Sequence, residues 1–418
     1  MKFSVNILVK ILVLTSLFPY SSFIDLGSDT SFWPILICTI ICFKLLYYKF
    51  SIISNFYFKS IILFSLSFFL ISLIIGFYYL DPIILRYALS FWCIIISFLV
   101  VYKFFNDIIS YYLKFIPIVT WIWFLIILIE SFSKFFGFNF FEIVIDLFGS
   151  NSSRSSYQRG LTGLAPEPSY LGLFSMLNFI FISSCENIFL IKLRYKALWL
   201  IMFVSSLSIT PFIIFFISFA FWILFNDNFK KKILILLCSV PLSIFVFLFI
   251  LSLEYDLRLI HILSNILNNP FFLLEDLSSA SRISSFLIGP LTLISEFWLF
   301  GCIWYDYTFI SQNIFSSYFN HDISFLLSEG ISTSNKIKSS LGSILYLFGI
   351  WGFFFNFIFI RFFFKNYYFI NGYNQLAIWI IISSFFVQVP FTTLFYLIIF
   401  FSLKFREITL NNYKNILN

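Results

Sequence analysis

The chain has 418 residues, of which 61% are hydrophobic and only 11% are charged. A soluble domain carries about 25% charged residues, so this composition excludes an ordinary globular protein and indicates a polytopic α-helical membrane protein. The net charge of +7 does not indicate a nucleic-acid partner, because no basic block exceeds Lys230–Lys232, and a total of two histidines excludes a His-rich metal site.

Apolar runs that could form membrane helices recur along the whole chain, and about 20 such residues cross a bilayer. The first run resembles a signal peptide, but no A-x-A-like cleavage site follows it, so we interpret it as a span. We predict an all-α bundle forming a single membrane domain over 1–418. Its twelve predicted spans are 3–23, 32–48, 61–80, 83–102, 110–129, 169–185, 196–210, 212–226, 233–253, 341–363, 376–390 and 391–404.

Two predicted pairs of spans, 196–226 and 376–404, are short for two full crossings and are interrupted by Pro211 and Pro390. Each is either a tight hairpin or a single broken helix, which leaves ten or twelve spans open. Lys and Arg gather in the segments that are cytoplasmic if the N-terminus is inside, whereas the turns near 24–31 and 81–82 contain aspartate and no Lys or Arg. This positive-inside pattern requires an even number of spans, and we prefer twelve with both termini cytoplasmic.

Under this topology two long segments, 130–168 and 254–340, lie on the external face. Within the spans almost no charge lies at mid-depth, because the charged residues are close enough to an end to snorkel. These residues are Lys10, Lys44, Arg86, Lys114, Glu130 and Arg361. Ion-coupled carriers need ionisable groups inside the membrane, so this pattern argues against a pump and places any chemistry at the external face. The six cysteines form no CxxC pair and are predicted to be packing residues.

The stretch RGLTGLAPEPSYLGLF, residues 159–174, interrupts this apolar pattern. Two prolines stiffen the segment before the predicted helix, two glycines allow a sharp turn after Arg159, and Ser169 is predicted to cap the helix. Glu167 would lie near the positive end of the helix dipole. The stretch indicates either a simple loop-to-helix cap with an Arg–Glu ion pair or a rigid shelf that holds a cation and a carboxylate at the membrane surface.

The larger external segment contains a second polar cluster. Arg282 precedes a short apolar segment, and the aromatic stretch 296–307 with its glycine turn is expected to lie in the membrane interface. His321 and Asp322 open a helix-like stretch. A lone histidine is more often a solvated or capping residue than a catalyst, and Arg282 could equally be a headgroup anchor.

Taken in order, these features resemble the superfamily of O-antigen polymerases and O-antigen ligases of the bacterial inner membrane. The first part of the shared pattern is an external Arg followed directly by GLTGLAPEPSYLG at a helix start. The second part is a large external loop with an Arg segment, the turn WLFGCIW, and a His before the next span. The resemblance is strongest over about 150–355. Polymerases often place a Gly eleven residues after each Arg, whereas here the glycines lie at 172, 289 and 301, so the sequence departs from the family at the arginines.

The resemblance implies a metal-independent glycosyltransferase without a cofactor, whose donor is a glycan linked to undecaprenyl diphosphate. Arg159 and Arg282 would then stabilise the leaving diphosphate, because guanidinium groups bind phosphate oxygens bidentately. Arg154 and Arg258 would be further substrate-binding residues, and His321 or Glu167 would be the general base or would orient the acceptor. The expected partners are this glycan, membrane lipid and a chain-length regulator.

Within the superfamily we prefer a polymerase, which transfers the growing glycan to a new lipid-linked repeat unit. The alternative is a ligase, which transfers the same donor to the lipid A core. A flippase for lipid-linked oligosaccharides or another transporter represents a different class, and it predicts charged spans around a hydrophilic cavity. A structural membrane protein without activity is the remaining alternative.

Overall fold

A computed structural model describes residues 2–21, 32–46, 56–137, 140–148, 160–185, 193–225, 272–275, 277–303, 307–332, 339–365 and 372–387, together with 265, 269, 337 and 404. This part of the chain is all-helical and contains no β-strand. In chain order the helices are α1 (Lys2–Ser16), α2 (Trp33–Leu46), α3 (Phe56–Tyr79), α4 (Pro82–Phe136), α5 (Phe140–Phe148), α6 (Pro168–Cys185), α7 (Leu193–Ser205), α8 (Ile209–Phe225), α9 (Phe272–Glu275), α10 (Leu277–Ile294), α11 (Tyr307–Tyr318), α12 (His321–Ser332), α13 (Ser340–Phe364) and α14 (Gly372–Val387).

Three of the described helices, α3, α4 and α13, are long and apolar enough to cross a membrane. Shorter apolar helical stretches are Val5–Ser16, Trp33–Lys44, Pro168–Ser183, Thr210–Phe225, Ala280–Ile294 and Gln375–Ser384. These helices are consistent with a membrane protein. The number of about twelve spans and the periplasmic position of the long loops stay predictions, and the predicted spans 233–253 and 391–404 lie outside the described residues except for Lys404.

The predicted boundary between the fourth and fifth spans coincides with a kink in α4. This helix has 55 residues, far more than the ~20 that cross a bilayer, and Phe104 departs from helical geometry with φ −123° and ψ 19°. The helix begins where the Asp81 carboxylate accepts a hydrogen bond from the Ile83 amide at 2.7 Å, and it ends at Gly137 in the left-handed conformation. Two predicted spans thus form one kinked helix.

The pair at 196–226 forms two separate helices, α7 and α8, which the turn 206–208 connects. The two segments that were predicted to be long external loops also contain helices, most of which the sequence did not predict. Helix α5 lies within 130–168, and α9 to α12 lie within 254–340. Of these, the helix-like stretch that was predicted to start at His321 is confirmed as α12.

Helix α13 is broken at Gly349, and the turn 295–303 fills the break. Gly349 has φ 54° and ψ −129°, a conformation that only glycine adopts readily. The Ile350 amide donates a hydrogen bond to the Trp298 carbonyl, and the Cys302 amide donates one to the Tyr346 carbonyl, each at 2.7 Å. Backbone groups that the break frees are therefore satisfied inside the protein, as membrane proteins require. The aromatic stretch predicted for the membrane interface thus packs, over its described residues, against a helix.

Small residues allow α10 to pack closely on its neighbours. A Cβ atom added to Gly342 of α13 would lie 1.8 Å from the Ser285 carbonyl oxygen of α10, and one added to Gly289 would lie 2.7 Å from the Gly342 Cα. On α12, a Cβ atom at Gly330 would lie 2.8 Å from the Ala280 carbonyl carbon. Close backbone approach of this kind is typical of helix packing in membranes, where small residues replace hydrophobic burial as the driving feature.

Helices α4, α6 and α7 pack with the end of α1 around Trp123 of α4. Its side chain is fully buried, its indole N–H donates to the Leu17 carbonyl at 3.2 Å, and its ring lies 5.0 Å from that of Phe174 in α6. Nearby, the Trp199 indole donates to the Thr120 hydroxyl at 2.9 Å. These contacts join the end of α1 and helices α4, α6 and α7 into one core.

Replacing Trp123 with alanine is expected to lower the free energy of unfolding by about 3–5 kcal/mol, because it removes a fully buried indole and leaves a cavity. Trp121, two residues earlier on the same helix, is 41% exposed, so its replacement by alanine leaves no comparable cavity. Thermal unfolding of both variants in detergent, followed by size-exclusion chromatography, checks this difference. Equal losses for the two variants would contradict the packing described above.

Candidate functional site

The loop 160–167 is held at the end of the bundle by the buried carboxylate of Glu130. Glu130 lies in the last turns of α4 and has no exposed surface. Its Oε2 accepts hydrogen bonds from the Thr162 amide at 2.8 Å and the Gly163 amide at 2.7 Å, and its Oε1 accepts one from the Thr162 hydroxyl at 3.1 Å. Lys134 Nζ forms an ion pair with Oε1 at 2.8 Å and donates to the Gly160 carbonyl at 3.3 Å.

Both glycines of this loop are required by its geometry, for different reasons. Gly163 has φ +57°, and this left-handed conformation follows directly after Thr162, so that two successive amides point at one carboxylate. Gly160 lies against the turn between α7 and α8, where an added Cβ would be 1.8 Å from the Ser206 carbonyl oxygen. The Leu161 amide also donates to the Ser205 carbonyl at 3.1 Å. The loop is therefore inserted between α4 and α7 and does not form an open shelf.

Glu167, and not Ser169, occupies the capping position of α6. The helix begins at Pro168, and the Glu167 carbonyl accepts hydrogen bonds from the amides of Tyr170 and Leu171 at 3.1 and 3.4 Å. The Ser169 hydroxyl lies 3.4 Å from Glu167 Oε2 and donates to it. The prediction that Ser169 caps the helix was wrong, because Pro168 occupies the first helical position and shifts the cap to Glu167. The half-buried Glu167 side chain is next to the helix start, as predicted.

Arg282 lies near the start of α10 and is half-buried. Its neighbours Ala280 and Ser281 contact Gly330 of α12, and Ser285, one turn further along α10, contacts Gly342 of α13. The apolar segment that was predicted after Arg282 is the remainder of this helix. Arg282 is therefore attached to a rigid helix and not to a loose loop.

His321 lies toward the other end of α10 from Arg282. It is the first residue of α12, whereas Gly330 near the end of α12 contacts the segment beside Arg282, so about 13 Å of helix separates them. The Tyr318 hydroxyl just before α12 donates to the Ile294 carbonyl at the end of α10 at 3.0 Å. The His321 side chain is 94% exposed, with its Nδ1 at 3.6 Å from an equally exposed Asp322 oxygen.

The C-terminal ends of α8 and α13 meet at one residue, Trp379 of α14. Phe221 and Phe225 in the last turns of α8 stack on the Trp379 ring at centroid distances of 4.9 and 5.1 Å. Phe364, the last residue of α13, contacts the same ring at 4.9 Å. Helices α8 and α13 therefore pack against the same helix, α14, near their C-terminal ends.

The N-terminal ends of α8 and α13 each contact one segment of the predicted site. The turn that leads into α8 contacts Gly160, and the first turn of α13 contacts Ser285 of α10. The loop 160–167 therefore lies beside the start of α8, and the first half of α10, which contains Arg282, lies beside the start of α13. Helices α6 and α10, which begin at or beside these segments, both pack against α14.

The other predicted arginines, Arg154, Arg159 and Arg258, lie outside the described residues. Arg159 immediately precedes Gly160 in the sequence.

The turn 295–303 contributes a buried thiol that is not suited to nucleophilic chemistry. Burial raises the pKa of Cys302 to about 12, a hydrogen bond with Tyr346 opposes this shift, and the Glu296 carboxylate adds to it. A thiol with so high a pKa is protonated at neutral pH. Of the cysteines predicted to be packing residues, Cys38, Cys42, Cys93 and Cys302 are buried free thiols, and the side chains of Cys185 and Cys238 lie outside the described residues.

Sequence reasoning missed Glu130 and Lys134. Glu130 was interpreted as a residue near a span end that snorkels to the surface. It is instead buried and bound to four donors, namely the amides of Thr162 and Gly163, the Thr162 hydroxyl and the Lys134 ammonium group. The available signal was an acid followed four residues later by a lysine at the end of an apolar run, the spacing of a helical ion pair. Its partner loop lies about thirty residues away in the chain, beyond the reach of local pattern.

No family model, curated protein or solved structure matches the chain.

Proposed function

We propose that the protein is a polymerase of O-antigen or a similar surface polysaccharide. It acts on lipid-linked repeat units at the periplasmic face of the bacterial inner membrane, with about twelve spans and both termini in the cytoplasm. A hydroxyl oxygen of the acceptor repeat unit attacks the anomeric carbon at the lipid-linked end of the growing glycan. The bond from this carbon to the diphosphate breaks, and undecaprenyl diphosphate leaves with the electron pair.

The observation that supports this proposal is that each arginine-bearing segment adjoins the start of a helix, α8 or α13, whose C-terminal end packs against α14. We infer from it that both segments lie at one end of the bundle. Loop 160–167, which Arg159 precedes, is anchored there by Glu130, and α10 with Arg282 begins beside the first turn of α13. A lipid diphosphate presents its phosphates at the membrane surface, where helix ends of this kind lie. Two guanidinium groups at one helix end suit a leaving group whose negative charge grows in the transition state.

Each site residue has a proposed role. Arg159 and Arg282 bind the diphosphate oxygens and stabilise the departing charge, while Arg154 and Arg258 bind the remainder of the charged substrate. Glu167 accepts the proton of the attacking hydroxyl or orients it. Glu167 suits this role better than His321 because it lies in the anchored loop 160–167 at the start of α6, whereas His321 lies toward the other end of α10 from Arg282.

Deletion of the gene is expected to leave lipopolysaccharide whose core bears a single repeat unit, because the remaining ligase transfers unpolymerised units. Gel electrophoresis of lipopolysaccharide from the deletion strain and from a complemented strain measures this. A ligase would instead leave core without any repeat unit and polymer stranded on the carrier lipid. A flippase would trap single units on the carrier at the cytoplasmic face, and a structural protein would leave a normal ladder. Each of these three results would contradict a polymerase.

A further inference from the structure

Glu130 and Lys134 form an anchor inside the protein whose role the proposed reaction does not yet include. The Glu130 carboxylate has no exposed surface, and the Lys134 side chain is 19% exposed. Groups so enclosed do not touch a substrate that arrives at the end of the bundle. Burying a charged pair is costly unless hydrogen bonds satisfy it, and the satisfied contacts here are with loop 160–163.

The contacts hold this loop between two helices, α4 and α7. The carboxylate binds the amides of Thr162 and Gly163, the lysine binds the carbonyl of Gly160, and the end of α7 binds the amide of Leu161. Each residue from 160 to 163 therefore has at least one backbone group held by another helix. A carboxylate with several charge-assisted donors is a strong and directional attachment.

We propose that Glu130, supported by Lys134, is a positioning residue that orients the backbone from which Arg159 projects. This inference rests on the proposed function, because it assigns the anchored loop a role in presenting Arg159 to the lipid diphosphate. Arg159 immediately precedes Gly160 in the sequence, so the anchored loop is the part of the chain to which Arg159 is joined. A displacement of about 1 Å at a catalytic group can lower the rate about 100-fold.

Glu130→Gln tests the anchor because it keeps the shape of the side chain and removes its charge. The amide group retains a single acceptor oxygen, so its NH2 group faces one of the backbone donors, and Lys134 loses its counter-ion. Amide hydrogen exchange measured by mass spectrometry should become at least about tenfold faster in the peptide that contains Thr162 and Gly163. Glu142→Gln is the matched control, since Glu142 is an exposed carboxylate on the neighbouring helix α5, and its exchange pattern should match that of the unaltered protein.

The activity test uses the lipopolysaccharide ladder per amount of inserted protein in the complemented deletion strain. Glu130→Gln and Arg159→Lys should each shorten and weaken the ladder. The double variant should have a ladder no shorter than that of the less active single variant, because both changes act through one side chain. Losses that multiply would overturn the positioning role, as would faster exchange with a normal ladder or exchange that does not change.

Two further comparisons keep the result interpretable. If Glu130→Gln does not insert, Thr162→Val replaces it, because this change removes only the hydroxyl that donates to Glu130 and should shorten the ladder to a smaller extent. A normal ladder in Thr162→Val with faster exchange would also overturn the positioning role. Failure of the proposed function is recognised separately, since Arg159→Lys alone would then leave a normal ladder while Glu130→Gln still accelerated exchange.

Discussion

Replacing Arg282 with alanine is expected to abolish the polymer ladder while the protein still inserts into the membrane. The guanidinium group belongs to α10, which packs closely against the start of α13, and it is proposed to stabilise the departing diphosphate. Loss of one such electrostatic stabiliser typically lowers the rate about 100- to 1000-fold. Arg282→Lys should retain only part of the activity, because an ammonium group keeps the charge but lacks the planar fork that binds phosphate bidentately. Lipopolysaccharide gels of the complemented deletion strain measure both variants.

Arg361→Ala is the matched control for this experiment. Arg361 is an exposed arginine in the last turns of α13, at the opposite end of the bundle from Arg282, and its loss should leave the ladder unchanged. Arg159→Ala should behave as Arg282→Ala does. Normal ladders in both Arg159→Ala and Arg282→Ala would show that the site assignment is wrong.

A large loss of stability is also expected for Gly349→Ala, at the break in α13. The φ of 54° and ψ of −129° at this residue are unfavourable for any side chain, and the added Cβ would lie 2.4 Å from the Trp298 carbonyl oxygen. That oxygen accepts the hydrogen bond from Ile350 that closes the break, so the clash cannot be relieved without losing it. Strain of about 1–3 kcal/mol together with the lost hydrogen bond should leave little folded protein after extraction into detergent.

Gly137→Ala separates backbone strain from the clash. Gly137 also has a positive φ, +71°, but no heavy atom lies within 4 Å of an added Cβ, so the cost should be limited to about 1–2 kcal/mol of left-handed strain. Fluorescence-detected size-exclusion chromatography after a temperature series compares the two variants. If Gly349→Ala were as stable as Gly137→Ala, the turn 295–303 would not be seated in the break.

The position of most helices could be predicted because a helix that crosses a bilayer needs about 20 consecutive apolar residues, so each long apolar run indicates a helix. The predicted span 169–185 corresponds to α6 at Pro168–Cys185, and the span 341–363 corresponds to α13 at Ser340–Phe364. The unexpected break at Gly349 shows the limit of this reasoning. A glycine inside an apolar run is compatible with a continuous helix, and only the turn 295–303 that packs into the break makes the positive φ stable.

The candidate site could be predicted only in part, since its geometry depends on contacts between distant segments. Proline and glycine around Glu167 indicated a turn segment before a helix, and α6 begins at Pro168. The residue that anchors this segment, Glu130, is on a different helix and binds the loop through backbone amides, which have no sequence signature. Similarly, the pairing of α10 with α13 depends on Gly289 and Gly342 meeting each other, which neither glycine indicates alone.

The most direct test of the central claim is a cross-linking measurement between the two proposed phosphate-binding positions. Arg159→Cys and Arg282→Cys would be combined in a background without the native cysteines and treated in membranes with a short bifunctional thiol reagent. If the two arginines act on one diphosphate, this pair cross-links efficiently, whereas Arg159→Cys combined with Arg361→Cys does not. Absence of the first cross-link, with both cysteines accessible to a monofunctional reagent, would show that the two side chains do not share a substrate.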